Sequence, residues 1–222
     1  MRSYAARGGL IVLGVLCLSR LSPGAAAQAP NQGWANVDCD KEPAGALQRA
    51  IDRATPGGTI LVAGTCRENV SVPPGKDQLT IDGGGSGAIE APDGAVNALQ
   101  IRGPKAVTVR RLAVRGGRAG IDVSRGATAL IDGNTIEATG RNGITLGSFA
   151  SANIVNNIIQ DNAAAGILVT GNAFGFIGFA TADDAVASPN VIRRNGTHGI
   201  SLTLSSSARI GRMSSSVIAS PK

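Results

Sequence analysis

Asp183-Asp184 and His198 are the residues of this chain best suited by type to cleave a glycosidic bond. Such chemistry needs two carboxyl groups, one protonating the leaving oxygen and one activating water. A second chemistry belongs to the arginines: Arg110, Arg111, Arg115 and Arg118 lie in a basic band with Arg102, Lys105 and Arg125. Guanidinium groups can neutralise the carboxylate of an acidic sugar while Arg141 or an unprotonated lysine takes the neighbouring proton, as a lyase or epimerase requires. The same band can hold an anionic polymer by charge alone, or simply face solvent. Phe174, Phe176 and Phe179, three of the four phenylalanines, gather beside the acids in "FGFIGFATADDAVASP". A loop on a rigid scaffold can bind there, or the rings can pack over the flank. One histidine, two methionines and three cysteines are too few for a copper or zinc site. No acidic cluster has calcium-ligand spacing, so no metal and no cofactor is expected.

These residues need a scaffold, and the scaffold is written as a repeat. Gly120-Ile121, Gly143-Ile144, Gly166-Ile167 and Gly199-Ile200 recur at steps of 23, 23 and 33 residues. Ile131, Ile154, Ile177 and Ile210 each follow one of these glycines by 11 residues, and Asn134, Asn157 and Asn190 precede the last three by 9. Both flanks of the longer step keep phase, so it holds one insertion at about 178–189. "GIDV", "GITL", "GILV" and "GISL" alternate with period two, the mark of a short strand with one inward face. Three such strands per repeat, cornered by Gly, Asn and Ala and without a helical period, describe one coil of a parallel β-helix. Equal positions then stack at roughly 4.8 Å, the isoleucines as a core ladder and the asparagines as a corner ladder that satisfies turn backbone. "TILVAG", "NVSVPP", "QLTIDGGG", "GAIEAP", "ALQIRG" and "VTVRRLAV" are coarser coils, giving roughly six or seven in all.

Residues 1–29 read as a cleavable signal peptide: a basic start, an apolar run from Leu10 to Leu18 too short to span a bilayer, and an alanine-rich end. The mature chain is therefore expected to be secreted or periplasmic, with no transmembrane span. Arg2, Arg7 and Arg20 leave with the leader, so the formal charge of +6 shrinks toward balance. With 3% aromatics and no basic run interleaved with aromatics, no nucleic-acid partner is expected. Cys39 and Cys66 remain as an even pair for an oxidising compartment. A bridge closing that loop would contribute roughly 3.5 kcal/mol, two free thiols being the alternative. Between them Leu47, Ala50, Ile51 and Ala54 are spaced as the apolar face of a helix ended by "TPGG", suited to plug the first coil. The plan is a leader (1–29), an N-terminal cap (30–58) and a β-helix (59–222). "NVS" at Asn69 and "NGT" at Asn195 match the glycosylation acceptor pattern. After Ile210 the phase is lost in "GRMSSSVIASPK". Either "SSVIASPK" folds over the last coil, or that coil meets a partner, including a second copy end to end.

"AGALQRAIDRATPGGTILVAGTCRENVSV", followed by "GNTIEATGRNGITL" and "NNIIQDNAAAGILV", resembles exported bacterial proteins with right-handed parallel β-helix repeats, in the pectin-lyase-like superfamily. The likeness runs from about Cys39 to Ile210 and implies a right-handed coil. It also implies company with pectate lyases, polygalacturonases, alginate epimerases, tailspikes, adhesins and copper-delivery proteins, without choosing among them. Asp183-Asp184, His198 and Arg209-Ile210 are similar to the polygalacturonase pattern of paired aspartates, Gly-His-Gly and Arg-Ile-Lys. Thr197 stands in place of the first glycine, Gly211 in place of the lysine, and Ile136 ends what would be Asn-Thr-Asp. The slot of His198 is filled by Ala119, Asn142 and Ala165 in other coils. The resulting expectation is an all-β, single-stranded right-handed parallel β-helix with a short capping helix. Its function is read as a binding or structural module recognising a polysaccharide or cell-surface glycan along its flank. A polysaccharide lyase, epimerase or hydrolase is the competing class.

Overall fold

The computed structural model describes residues 33–179 and 187–211. The chain enters as β1 (Trp34–Asp38), turns into the helix α1 (Ala46–Arg53) and then winds through coils of three strands. The first coil is β2 (Thr59–Ala63), β3 (Thr65–Cys66) and β4 (Val70–Val72); the second is β5 (Thr80–Asp82), β6 (Ala88–Ala91) and β7 (Leu99–Arg102). The third is β8 (Val107–Arg110), β9 (Ala113–Gly116) and β10 (Ile121–Ser124); the fourth is β11 (Thr128–Asp132), β12 (Thr135–Glu137) and β13 (Ile144–Leu146). The fifth is β14 (Ser151–Val155), β15 (Ile158–Gln160) and β16 (Ile167–Val169). The sixth is β17 (Phe174–Ile177), β18 (Val191–Arg193) and β19 (Ile200–Leu202), after which β20 (Ser207–Ile210) follows. Corresponding strands pair in parallel. Sheet A runs β1-β2-β5-β8-β11-β14-β17-β20, sheet B runs from β3 to β18, and sheet C runs from β4 to β19. The result is the all-β parallel solenoid that the repeat predicts, about six coils long with one short helix.

Register explains why the sequence repeats. Ile131, Ile154, Ile177 and Ile210 are direct partners in sheet A, and Ile136, Ile159 and Ile192 are partners in sheet B. Each inward position therefore meets its own kind one strand spacing away, and the first three isoleucines of the sheet A ladder are at most 1% exposed. The corner from sheet C to sheet A uses two consecutive left-handed residues: Arg125-Gly126, Ser148-Phe149, Gly171-Asn172 and Leu204-Ser205 all have positive φ. Non-glycine residues adopt that conformation at a cost of about 1–2 kcal/mol, so coil stacking must hold these corners in place.

The corner from sheet A to sheet B carries the asparagine ladder. Asn134 Nδ2 donates to Asn157 Oδ1 at 3.0 Å and Asn157 Nδ2 to Asn190 Oδ1 at 2.9 Å, while the same amides donate to Val109, Ile131 and Ile154 carbonyls of the preceding coil. A second ladder, not evident from the sequence, occupies the corner from sheet B to sheet C. There Asn162 Nδ2 donates to Asn195 Oδ1 at 2.8 Å, and the position one coil earlier is Thr139. The buried Thr139 Oγ1 has no hydrogen-bond partner among the described residues.

At the N-terminal end each sheet edge is closed by different chemistry. Sheet A gains β1, which pairs with β2 from Trp34↔Thr59 to Asp38↔Ala63 and brings sheet structure into the segment assigned to the cap. Asp40 Oδ1 accepts from the Thr65 N–H on sheet B, beside the Cys39–Cys66 disulfide. On sheet C the Gln48 side chain acts as a missing strand, accepting from Ser71 N at 2.8 Å and donating to Ser71 O at 3.0 Å. The helix that carries Gln48 buries Ala46, Leu47 and Ile51 and packs on β1, β2 and β4. Its first turn has no capping side chain of its own. Glu68, from the first coil, supplies one in its place, accepting from the Leu47 and Gln48 N–H groups at 3.0 Å each. A carboxylate there satisfies orphan donors and complements the helix dipole. No helix among the described residues is long and apolar enough to cross a membrane.

Candidate functional site

Parallel stacking sorts the arginines into those with partners and those without. Asp82, 1% exposed, receives Arg110 Nε at 2.9 Å and Arg111 Nε at 3.0 Å, with Arg111 Nη2 and the Gly84 N–H also directed at it. Burial pushes the Asp82 carboxyl up, but the Arg111 and Gly84 hydrogen bonds and the Arg110 charge outweigh it and hold the group below the ordinary carboxylate range. Arg115 belongs to a ladder on the outer face of sheet B, where it bonds Glu137 at 2.8 Å, Glu137 bonds Gln160, and Gln160 bonds Arg193. Arg194 pairs with Asp161 at 2.7 Å.

Arg118 differs. With Arg141, one coil further on, it lines an open groove of about 220 Å³ on the outer face of sheet C. Among the described residues neither guanidinium makes a hydrogen bond or a close ion pair. The floor of this face is set by the alternation of β7, β10, β13, β16 and β19: Gln100, Asp122, Thr145, Leu168 and Ser201 are register partners that all point outward. Asn142 lies at the rim, donating to Thr145 Oγ1 at 3.3 Å and accepting from Ala165 N at 3.2 Å. Thr170 completes the far side.

Asp122 is the acid of this groove, and sequence reasoning missed it. The signal was available: the second residue after each repeat glycine is Asp122, Thr145, Leu168 or Ser201, and only one of the four is charged. Burial pushes the Asp122 carboxyl above the ordinary carboxylate range, against the Ser124 hydrogen bond of 2.9 Å and the charges of Arg102 and Arg118. A carboxyl whose folded pKa is raised binds its proton more tightly in the folded chain, so its contribution to stability is lost as pH rises above roughly 4. Asp122→Asn is therefore expected to raise Tm at pH 7 and to leave it nearly unchanged at about pH 3.5. Paired thermal melts check this, and a lower Tm for the variant at pH 7 would show that the charge stabilises the rod.

The other sequence candidates fall elsewhere. His198 is exposed in the sixth coil, in line with Asn142 and Ala165 along the groove rim. Asp183 and Asp184 lie outside the described residues. Phe174 and Phe176 sit on the outer face of β17, not in the insertion, with ring centroids 4.7 Å apart and edge to face. Phe179 carries the Arg209 guanidinium 4.9 Å from its centroid. Both glycosylation-type asparagines have committed amides: Asn69 Nδ2 donates to the Asp93, Val96 and Asn97 carbonyls, and Asn195 is buried in the second ladder. Cys39, Cys66 and Glu68 form the one metal-type cluster among the described residues, but both sulfurs are in the disulfide and Glu68 caps α1.

A parallel solenoid with a polar groove on one sheet defines a class of architecture, and comparison with known families gives it a place. Residues 93–212 match the family described as the right handed beta helix region, more than half of the 222 residues. The chain belongs to that family, and its coil is right-handed. No curated protein and no solved structure matches the chain.

Proposed function

We propose that the protein is a carbohydrate-binding module whose sheet C groove recognises a linear acidic saccharide. One observation carries the reading: among the described residues Arg118 and Arg141, on consecutive coils, make no hydrogen bond or close ion pair, while Arg110, Arg111 and Arg115 are each held by an acid of the chain. Like charges on neighbouring coils repel, and an arrangement of that kind is relieved by an anion between them. Guanidinium groups donate to carboxylates in bidentate geometry. Asn142, Thr145 and Thr170 supply the neutral donors and acceptors that hydroxyl groups need. Export fits the disulfide, since such bridges persist in oxidising compartments.

The test is binding of acidic and neutral oligosaccharides by calorimetry at two salt concentrations. The acidic ligand is expected to bind with an affinity that falls as salt rises, and Arg118→Ala with Arg141→Ala is expected to weaken it at least tenfold. An unchanged affinity in the double variant would move the site off this groove.

A second reading is favoured by Asp122, a groove carboxyl near Arg118 whose proton affinity burial raises above the ordinary carboxylate range. In that reading the groove is catalytic: the arginines neutralise a uronate and Asp122 carries the proton of a lyase or epimerase. Size-exclusion chromatography of polyuronates after incubation detects cleavage, and proton NMR of the recovered polymer detects epimerisation. Unchanged polymer in both leaves the binding module.

A further inference from the structure

The groove changes character along the rod. On its arginine rim the equivalent residues of successive coils are Val96, Arg118, Arg141, Ala164 and Thr197, linked by backbone bonds from Arg118 N to Val96 O, Ala164 N to Arg141 O and Thr197 N to Ala164 O. On the floor the register order is Gln100, Asp122, Thr145, Leu168 and Ser201. Cations and the acid thus belong to the third and fourth coils. The fifth coil presents Ala164, Leu168 and Thr170, with no charge.

Resting on the saccharide reading, we infer that the groove reads an acidic unit followed by a neutral, less polar one. The ligand lies parallel to the rod axis, its carboxylate toward the end capped by α1. Two physical terms set this polarity. Between Arg118 and Arg141 a carboxylate exchanges water for charge-assisted hydrogen bonds. Over Leu168 and Ala164 a carboxylate would shed water and find no partner, whereas an ester or a deoxygenated ring face covers apolar surface there. A pyranose unit is comparable in length with one coil step of about 4.8 Å, so adjacent units fall on adjacent coils.

The experiment uses four probes on the full chain: a fully charged galacturonic acid trimer, its two single-end methyl esters, and a neutral trimer. One end-ester is expected to bind at least tenfold more tightly than the other and more tightly than the fully charged trimer. Leu168→Arg, a change at a partly exposed outward position, is expected to reverse that order in favour of the fully charged trimer. Leu168→Thr is expected to flatten it, so a failure of the arginine variant to fold would not remove the test. Equal binding of the two esters, with Arg118→Ala still costing affinity, overturns the polarity and leaves the saccharide reading standing. No binding of any probe overturns the saccharide reading and the polarity with it.

Discussion

Replacing Gly143 by Ala is expected to destabilise the protein by about 3 kcal/mol, and the same change at Gly199 by no more than about 0.5 kcal/mol. The two glycines occupy the same place in the repeat, and neither has a positive φ, so the local backbone accepts alanine at both. What differs is the coil beyond. A methyl at Gly143 would stand 2.6 Å from Ile159 Cγ2, 2.7 Å from the Gly166 carbonyl oxygen and 2.8 Å from Asn162 Nδ2. Gly166 repeats the pattern against Ile192 and the Gly199 carbonyl. At Gly199 the nearest atom among the described residues is Ile192 Cγ2 at 3.7 Å, because β19 is the last described strand of sheet C. Chemical or thermal unfolding of the two variants measures the contrast, with a Tm drop on the order of 6–12 °C for Gly143→Ala. Ile192→Ala, a truncation at a position 1% exposed, serves as the control that the sixth coil unfolds with the rest. Equal losses at the two glycines would mean that glycine is demanded by its own conformation and not by the neighbouring coil.

That contrast also explains what could be read in advance. From Gly120 through Gly166 successive coils impose the same contacts on the same position, and the last coil keeps the pattern, so the glycines, isoleucines and first asparagine ladder recur visibly. Upstream the register partners Thr59, Thr80, Thr108 and Leu130 are separated by 21, 28 and 22 residues, and the phase blurs. The spacing of Leu47, Ala50, Ile51 and Ala54 predicts α1, but β1 has no repeat to announce it. Nor does spacing say that Gln48 would bond Ser71, 23 residues away, or that Glu68 would reach back to cap the helix.

The candidate site was legible in kind and not in detail. Arginine counting finds the basic band, yet charge pairing in a parallel stack is made between coils, so a list of arginines does not tell free from bound. Arg110 and Arg111 reach an aspartate 28 and 29 residues earlier, whereas Arg118 has no hydrogen-bonded acid among the described residues. The second ladder was hidden for a related reason. It begins with Thr139, and only Asn162 and Asn195 carry the amide, so two residues 33 apart across the insertion gave too little recurrence to notice.

Asn157→Leu is expected to lower stability by about 3 kcal/mol, more than the loss from any single exposed charge pair on the rod. The Asn157 side chain is fully buried and connects three coils. Its Oδ1 accepts from the Asn134 N–H at 2.9 Å and from Asn134 Nδ2 at 3.0 Å, and its Nδ2 donates to Ile131 O, Val155 O and Asn190 Oδ1. Leucine has the same branching as asparagine and a larger volume, so it opens no cavity, and the cost comes from orphaned polar groups, chiefly the Asn134 N–H, together with some overpacking. The chain itself places a leucine in this slot at one end of the ladder. Leu112 holds the position before Asn134 and donates only its backbone N–H to Asn134 Oδ1 at 3.1 Å. A leucine that ends the ladder leaves no amide above it unsatisfied, whereas one in its middle divides it. Thr139 offers the converse case: its methyl carbon stands 3.3 Å from a Cβ at Gly120, where the amides of Asn162 and Asn195 stand 2.8 Å from the equivalent points. Thr139→Asn therefore fits the slot, replaces an unsatisfied hydroxyl and is expected to add about 1 kcal/mol. Denaturant unfolding of both variants gives the comparison. A small loss for Asn157→Leu would show that the ladder marks the corner without stabilising it, and Thr139→Asn should then bring no gain.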